Sequence, residues 1–170
     1  MNLLLLDANI IISLHKMGLW TEVTRRNSVF VPKLIISREA YYYPDKSGDH
    51  FINLPEQVGK NIQEVSATPE EILQLKNKFN PAYLELHDPE TEALVVLSKI
   101  PDSQLCTSDE AAVKAAVLLN LINKMTSLET LLRISQLPFN NVEKKDSEQR
   151  FRIYIQKAQI MQIQGNGLKV

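Results

Sequence analysis

The stretch Met1 to Ile12, MNLLLLDANIII, constrains the fold more than any other part of the chain. Leu3 to Leu6 form an unbroken apolar run of strand length, the pattern of a strand buried on both faces rather than one. Strands of that kind occur in parallel sheets covered by helices on both sides. Asp7 follows at once, and Ala8 to Ile12 begin a second apolar segment. An acid at the carboxyl end of a central parallel strand stands where open α/β sheets place ligands and reacting groups. The same acid is equally suited to cap the helix after it. These residues alone leave both readings open.

The rest of the chain alternates in the same way. Helices are expected over Asn9 to Lys16, ended by Gly18, and over Leu19 to Arg26, followed by a short strand, Val29 to Val31, closed by Pro32. Leu34 to Tyr43 reads as a helix with Glu39 as its one acid, and Pro44 stops it. Residues 44–60 read as a long turn-rich loop, with a helical turn after Pro55. A strand over Asn61 to Ser66 leads to Thr68-Pro69-Glu70-Glu71, a capping box with proline at the first helical position. Pro81 to Leu86 suggests a short helix, and Asp88-Pro89 opens a longer one over Glu90 to Lys99. A strand over Gln104 to Thr107, a helix from Glu110 to Asn120 and a strand at Ile122 to Met125 follow. Thr126 to Glu129 reads as another capping box, opening a helix to about Ile134. Lys144 to Gln162 is a charged amphipathic helix, and Gly165 to Val170 reads as a frayed tail. Short apolar strands alternating with helices predict a three-layer α/β/α domain with about five mostly parallel strands.

Composition narrows the chemistry. No apolar stretch reaches the roughly 18 residues of a membrane span. The leading leucines lack a basic flank and are interrupted by Asp7, so they read as core strand rather than signal peptide. The single cysteine, Cys106, excludes an internal disulfide and fits a reducing cytoplasm. It lies in an apolar strand and reads as a buried structural thiol. The three histidines share no metal-ligand spacing, and a net charge of −1 is not the footprint of a strongly basic nucleic-acid binder.

What stands out is a recurrence of acids at strand and helix ends. Asp7 follows the first strand, Asp109 follows the Cys106-Thr107 strand, and Glu92 lies near the start of the helix before that strand. If those strands are parallel neighbours, Asp7 and Asp109 project from one edge, and Glu39 and Glu92 lean over it. Such carboxylates repel one another, and a divalent cation relieves the conflict. Magnesium or manganese prefers hard oxygen ligands, so carboxylates without a cysteine or histidine cage are a suitable inventory. A cation so held activates water and neutralises charge on a phosphodiester.

Four segments carry a family resemblance. Leu3 to Ile12 resembles the opening of PIN-domain proteins, in which a strand ends in Asp, a small residue and a Ser, Thr or Asn. Pro89-Glu90-Thr91-Glu92-Ala93-Leu94 resembles their acidic helix start, and Cys106-Thr107-Ser108-Asp109 their strand ending in Thr-x-Asp. Lys124 to Glu129 resembles the strand and helix start that come next. The order agrees from Asn2 to about Arg133. The resemblance implies a PIN-like nuclease domain over 1–136, with 137–170 as a helical extension packed on it. It implies a metal-dependent endoribonuclease using Mg2+ or Mn2+, commonly the toxin of a toxin–antitoxin pair. Asp7 and Asp109 match the family's first and last metal-binding acids, Glu92 the acid between them with Glu90 as the fallback, and Glu39 is the candidate for the second. Asn9 and Thr107 match the polar residues that steady the site. RNA, an antitoxin and a second copy of the chain are the implied partners.

For RNA contact, Arg25 and Arg38, with Arg26 and Lys33, form the nearest thing to a basic patch, and Tyr42 in the Tyr41 to Tyr43 run offers a ring for stacking on a base. Two other classes compete. One is a PIN-like module that binds RNA or protein without cutting. The other is a phosphotransfer fold, whose phosphatase form needs an acid where this chain has Asn9.

Overall fold

The computed structural model describes residues 3–38 and 42–170. Strand β1 (Leu3–Leu6) runs into helix α1 (Ala8–Lys16), and Gly18, at a φ of 68°, turns the chain in the left-handed region after it. Helix α2 (Trp20–Arg26) and strand β2 (Ser28–Pro32) follow, and then α3 (Lys33–Arg38). The expected helix to Tyr43 does not extend that far. Strand β3 (Tyr42–Asp45) pairs antiparallel with β4 (Gly48–Phe51), setting Tyr42 opposite Phe51 and Tyr43 opposite His50. Aromatic residues favour strands, and Asp45 closes the turn by accepting hydrogen bonds from the Ser47 backbone N–H and hydroxyl, both at 2.7 Å. The segment expected as a long loop is therefore a hairpin, continued by a 3-10 turn at Pro55–Gln57 and anchored by buried Ile52 and Leu54.

Strand β5 (Ile62–Val65) leads to α4 (Pro69–Lys76), whose Thr68–Glu71 capping box forms as expected. Residues 81–83 form a turn and 84–86 are irregular, so no helix forms there: the backbone N–H groups of Tyr83 and Leu84 both bond the Asn80 carbonyl, and Leu84 and Leu86 are buried. Helix α5 (Asp88–Lys99) starts two residues earlier than expected, with His87 at the cap position. Strand β6 (Ser103–Cys106) and helix α6 (Glu110–Leu118) follow. The next segment expected as strand is mostly 3-10, leaving a two-residue β7 (Met125–Thr126). Helix α7 (Leu128–Ile134) is capped by Ser127 rather than Thr126. The expected capping box is replaced by a tertiary contact, in which the Glu129 carboxylate accepts from the Glu148 backbone N–H at 2.9 Å. Helix α8 (Glu148–Ile163) packs along α6 and buries Phe151 and Ala158. The tail is tied down rather than frayed: Asn80 N–H donates to Gly167 at 2.7 Å, and Lys169 N–H to Lys78 at 2.8 Å.

Five strands form one all-parallel sheet in the order β5-β2-β1-β6-β7. Helices cover both faces, giving a three-layer α/β/α arrangement. The apolar run of β1 divides between two cores. Leu4 and Leu6 join Val29, Val31, Ile11, Leu14 and Leu128 on one side. Leu5 joins Leu105, Leu94, Leu97 and Val113 on the other. Alternate residues of a strand face opposite ways, so a strand packed on both sides needs apolar residues at every position. Each fully buried leucine contributes roughly 1.5–3 kcal/mol. From β1 the chain adds β2 and β5 to one side, then returns to add β6 and β7 to the other. The order reverses between β1 and β6, and at such a switch point the carboxyl ends of the strands border the crevice in which open α/β sheets bind ligands. Among the described residues no helix is long and apolar enough to cross a membrane.

Candidate active site

Asp7 stands at that switch point, just past the carboxyl end of β1. Its backbone N–H donates to the Cys106 carbonyl at 3.2 Å, carrying the β1–β6 ladder one step past the strand end. It holds the cap position of α1, yet its side chain makes no capping hydrogen bond. The carboxylate is buried at 6% exposure, and its Oδ2 accepts a 2.8 Å hydrogen bond from the Thr107 hydroxyl. The same hydroxyl oxygen accepts from the Asp109 backbone N–H at 3.0 Å. Thr107 thus joins the two acids through one atom. Asp109 does cap its helix: Oδ1 accepts from Ala112 N–H at 2.7 Å.

Burial pushes the Asp7 carboxyl up to about 7, the Thr107 hydrogen bond opposes the rise, and the negative charges of Asp109 and Glu90 add to it. The acid of α5 that acts on Asp7 is therefore Glu90, the fallback choice. Glu92 is engaged elsewhere. It is 2% exposed, its Oε2 accepts from Leu34 N–H at 2.8 Å and its Oε1 from Ala67 N–H at 3.1 Å. Leu34 lies in the first turn of α3, where N–H groups lack helical partners. Glu92 satisfies one of them and fastens α5 to the chain entering α4.

Glu39, with Tyr41, lies outside the described residues. Asn9 is exposed in the first turn of α1. Arg38 lines an open groove of about 530 Å3 with Lys33, Lys76, Asp88 and Glu92, beside the carboxyl ends of β2 and β5. Arg25 does not share that edge. It lies in the last turn of α2, shortly before Ser28, which pairs with Leu3 at the amino end of the sheet, and its guanidinium bonds Glu22 at 2.7 Å. A strand of four residues places roughly 13 Å between the two edges. Tyr42 is half exposed on the hairpin, its ring 6.4 Å from that of Phe51. His87 is exposed, and Cys106 is fully buried, where loss of solvation pushes its thiol well above the ordinary range. Asp146, unremarkable in the charged run 143–148, is buried at 2% exposure. Only tertiary packing marks it out.

Comparison with protein-family models, curated proteins and solved structures returned no match. Asp7, Asp109 and Glu90 suit a hard divalent cation in kind, being all carboxylates without sulfur or imidazole. Among the described residues, however, no three acidic, histidine or cysteine side chains stand close enough to form a ready-made metal cage.

Proposed function

We propose that this chain is a Mg2+- or Mn2+-dependent endoribonuclease of the PIN-domain type, with the β1–β6 crevice as its active site. The observation that carries the reading is Asp7. A strand-end carboxylate is buried without capping its helix, is bonded through Thr107 to Asp109, and sits in the field of two carboxylates, Asp109 and Glu90. A buried acid surrounded by like charge destabilises the fold unless a cation or proton offsets it, which is the signature of a functional site. Asp7 and Asp109, with Glu90, would hold the cation, which would supply an activated water and neutralise charge developing on the phosphodiester. Thr107 fixes the orientation of Asp7 and the start of α6. Lys33 and Arg38 supply positive charge for the phosphate backbone along the adjoining groove. A toxin–antitoxin setting, an antitoxin partner and a homodimer belong to the same proposal.

The test is cleavage of a mixed single-stranded RNA by purified protein with Mn2+. Cutting is expected, and the Asp7→Asn variant is expected to abolish it while remaining folded. No cutting by wild type, or equal cutting by the variant, would defeat the reading. The engagement of Glu92 with backbone amides favours a second one, an RNA-binding module without hydrolysis. It predicts RNA binding that is independent of divalent ions, with no heat of Mn2+ binding by calorimetry.

A further inference from the structure

A second polar site shares no residue with the Asp7–Thr107–Asp109 cluster. The segment after α7 and the C-terminal half of α1 border a cavity of about 510 Å3. Its buried end is formed by Ser13 of α1 and by Asp146. The Ser13 hydroxyl donates to Asp146 Oδ2 at 2.7 Å, which fixes the carboxylate. The other oxygen, Oδ1, is buried and has no hydrogen-bond partner. A buried carboxylate oxygen left this way is costly and calls for a donor from the cavity that Asp146 lines.

The rim states what kind of donor. Asn140, Asn141 and Glu143, all exposed, add amide and carboxylate oxygens. Glu143 has a loose pairing with Lys145, at 3.8 Å between exposed groups, which leaves it little committed. Two carboxylates are too few for a strong hard-cation cage, and the volume is far larger than a bare ion needs. It falls in the range of small-molecule sites, roughly 300–1,000 Å3. Met17, Leu19 and Pro138 supply an apolar wall beside the oxygens. One buried, unpartnered carboxylate oxygen with several amide and carboxylate oxygens around the rim matches a group with three divergent N–H donors on an alkyl stem, which is a primary ammonium.

We propose that this cavity binds an alkylammonium group, its N–H donors received by Asp146 Oδ1 and by the oxygens of Glu143 and Asn140 or Asn141, with the alkyl chain against Met17 and Leu19. The group has two sources, a free aliphatic diamine or a lysine side chain of a partner chain. Lys16 at the rim carries the same chemistry and makes no ion pair among the described residues. Its charge weakens the site for an outside ligand, so its removal tightens binding.

The experiment titrates the full chain at constant ionic strength with 1,4-diaminobutane in one arm and Nα-acetyl-lysinamide in the other, read by calorimetry and thermal shift. Saturable binding is expected in at least one arm, and the tighter arm identifies the source. Asp146→Asn should weaken it at least tenfold, Glu143→Gln about threefold, and Lys16→Ala should strengthen it. Glu143 is exposed, so its variant remains informative if Asp146→Asn fails to fold. Tetramethylammonium, which has no N–H, should not compete. The proposal is overturned by no saturable binding in either arm, by binding that both carboxylate variants leave unchanged, or by competition from tetramethylammonium. Loss of thermal stability in Lys16→Ala with no gain in binding also overturns it, because Lys16 would then be the occupant itself.

Discussion

At the scale of the residue, Asp7 has a proton balance that can be measured. The folded chain holds its proton up to about pH 7, whereas a free aspartate releases it near 3.8. Between those values the folded state binds more protons than the unfolded one, so this group makes stability fall as pH rises through the window. Asp7→Asn keeps an oxygen for the Thr107 hydroxyl and removes the charge. The variant is expected to be more stable than wild type at pH 8 by roughly 1–3 kcal/mol. Thermal melts should show the gain shrinking as pH is lowered and vanishing near pH 4. Mn2+ should raise the wild-type melting temperature at pH 8 and leave that of the variant unchanged. Thr107→Val removes the hydroxyl that opposes the rise at Asp7, so the Asp7 carboxyl should titrate higher still, detectable by carboxyl-carbon NMR. Asp7 was legible in the sequence because it directly follows an apolar run. The choice between Glu90 and Glu92 was not. Residues two apart on a helix point roughly 200° away from each other, so only one can face the crevice. Which one does so depends on Leu34 and Ala67, whose N–H groups capture Glu92 from distant parts of the chain.

At the scale of the element, Glu92 links α5 to the start of α3 and the entry to α4. Glu92→Ala leaves two backbone N–H groups without their acceptor, and a loss of about 2–4 kcal/mol is expected by denaturant unfolding. Glu90→Gln should leave stability nearly unchanged and lower RNA cleavage at least tenfold. That pair of variants separates a fastening role from a chemical one. The helices and strands legible from sequence are those whose signals are local, such as the Thr68–Glu71 box or the Asp109 cap. The errors fall where distant residues decide. Tyr42 and Tyr43 continue a helix on paper, but their partners Phe51 and His50 lie across a turn and convert them to a strand. Glu129 fits a capping box until the N-terminus of α8 arrives to claim its carboxylate.

At the scale of the whole molecule, the two cores share one wall, the central sheet, and the C-terminal segment closes the second of them. Gly167 is buried with a φ of 99°, and a methyl group there would stand 2.7 Å from a Leu118 side-chain carbon. Gly167→Ala combines a left-handed backbone with that crowding and should cost about 1–3 kcal/mol, lowering the melting temperature by several degrees. Truncation after Ile163 should have a similar effect, because it removes the bonds to Lys78 and Asn80. The layered class was legible in the sequence because strand and helix periods alternate along the whole chain. The tail was not, because Gly165 to Val170 shows no pattern and gains its place only through the backbone groups of Lys78 and Asn80.

The hydrogen bond from Thr107 to Asp7 spans 100 positions of sequence. During synthesis the first strand leaves the ribosome long before its neighbour β6 has been translated, so Asp7 must wait with its crevice unbuilt. The surroundings that set the proton affinity of that carboxylate are therefore assembled only after Thr107 and Asp109 have emerged.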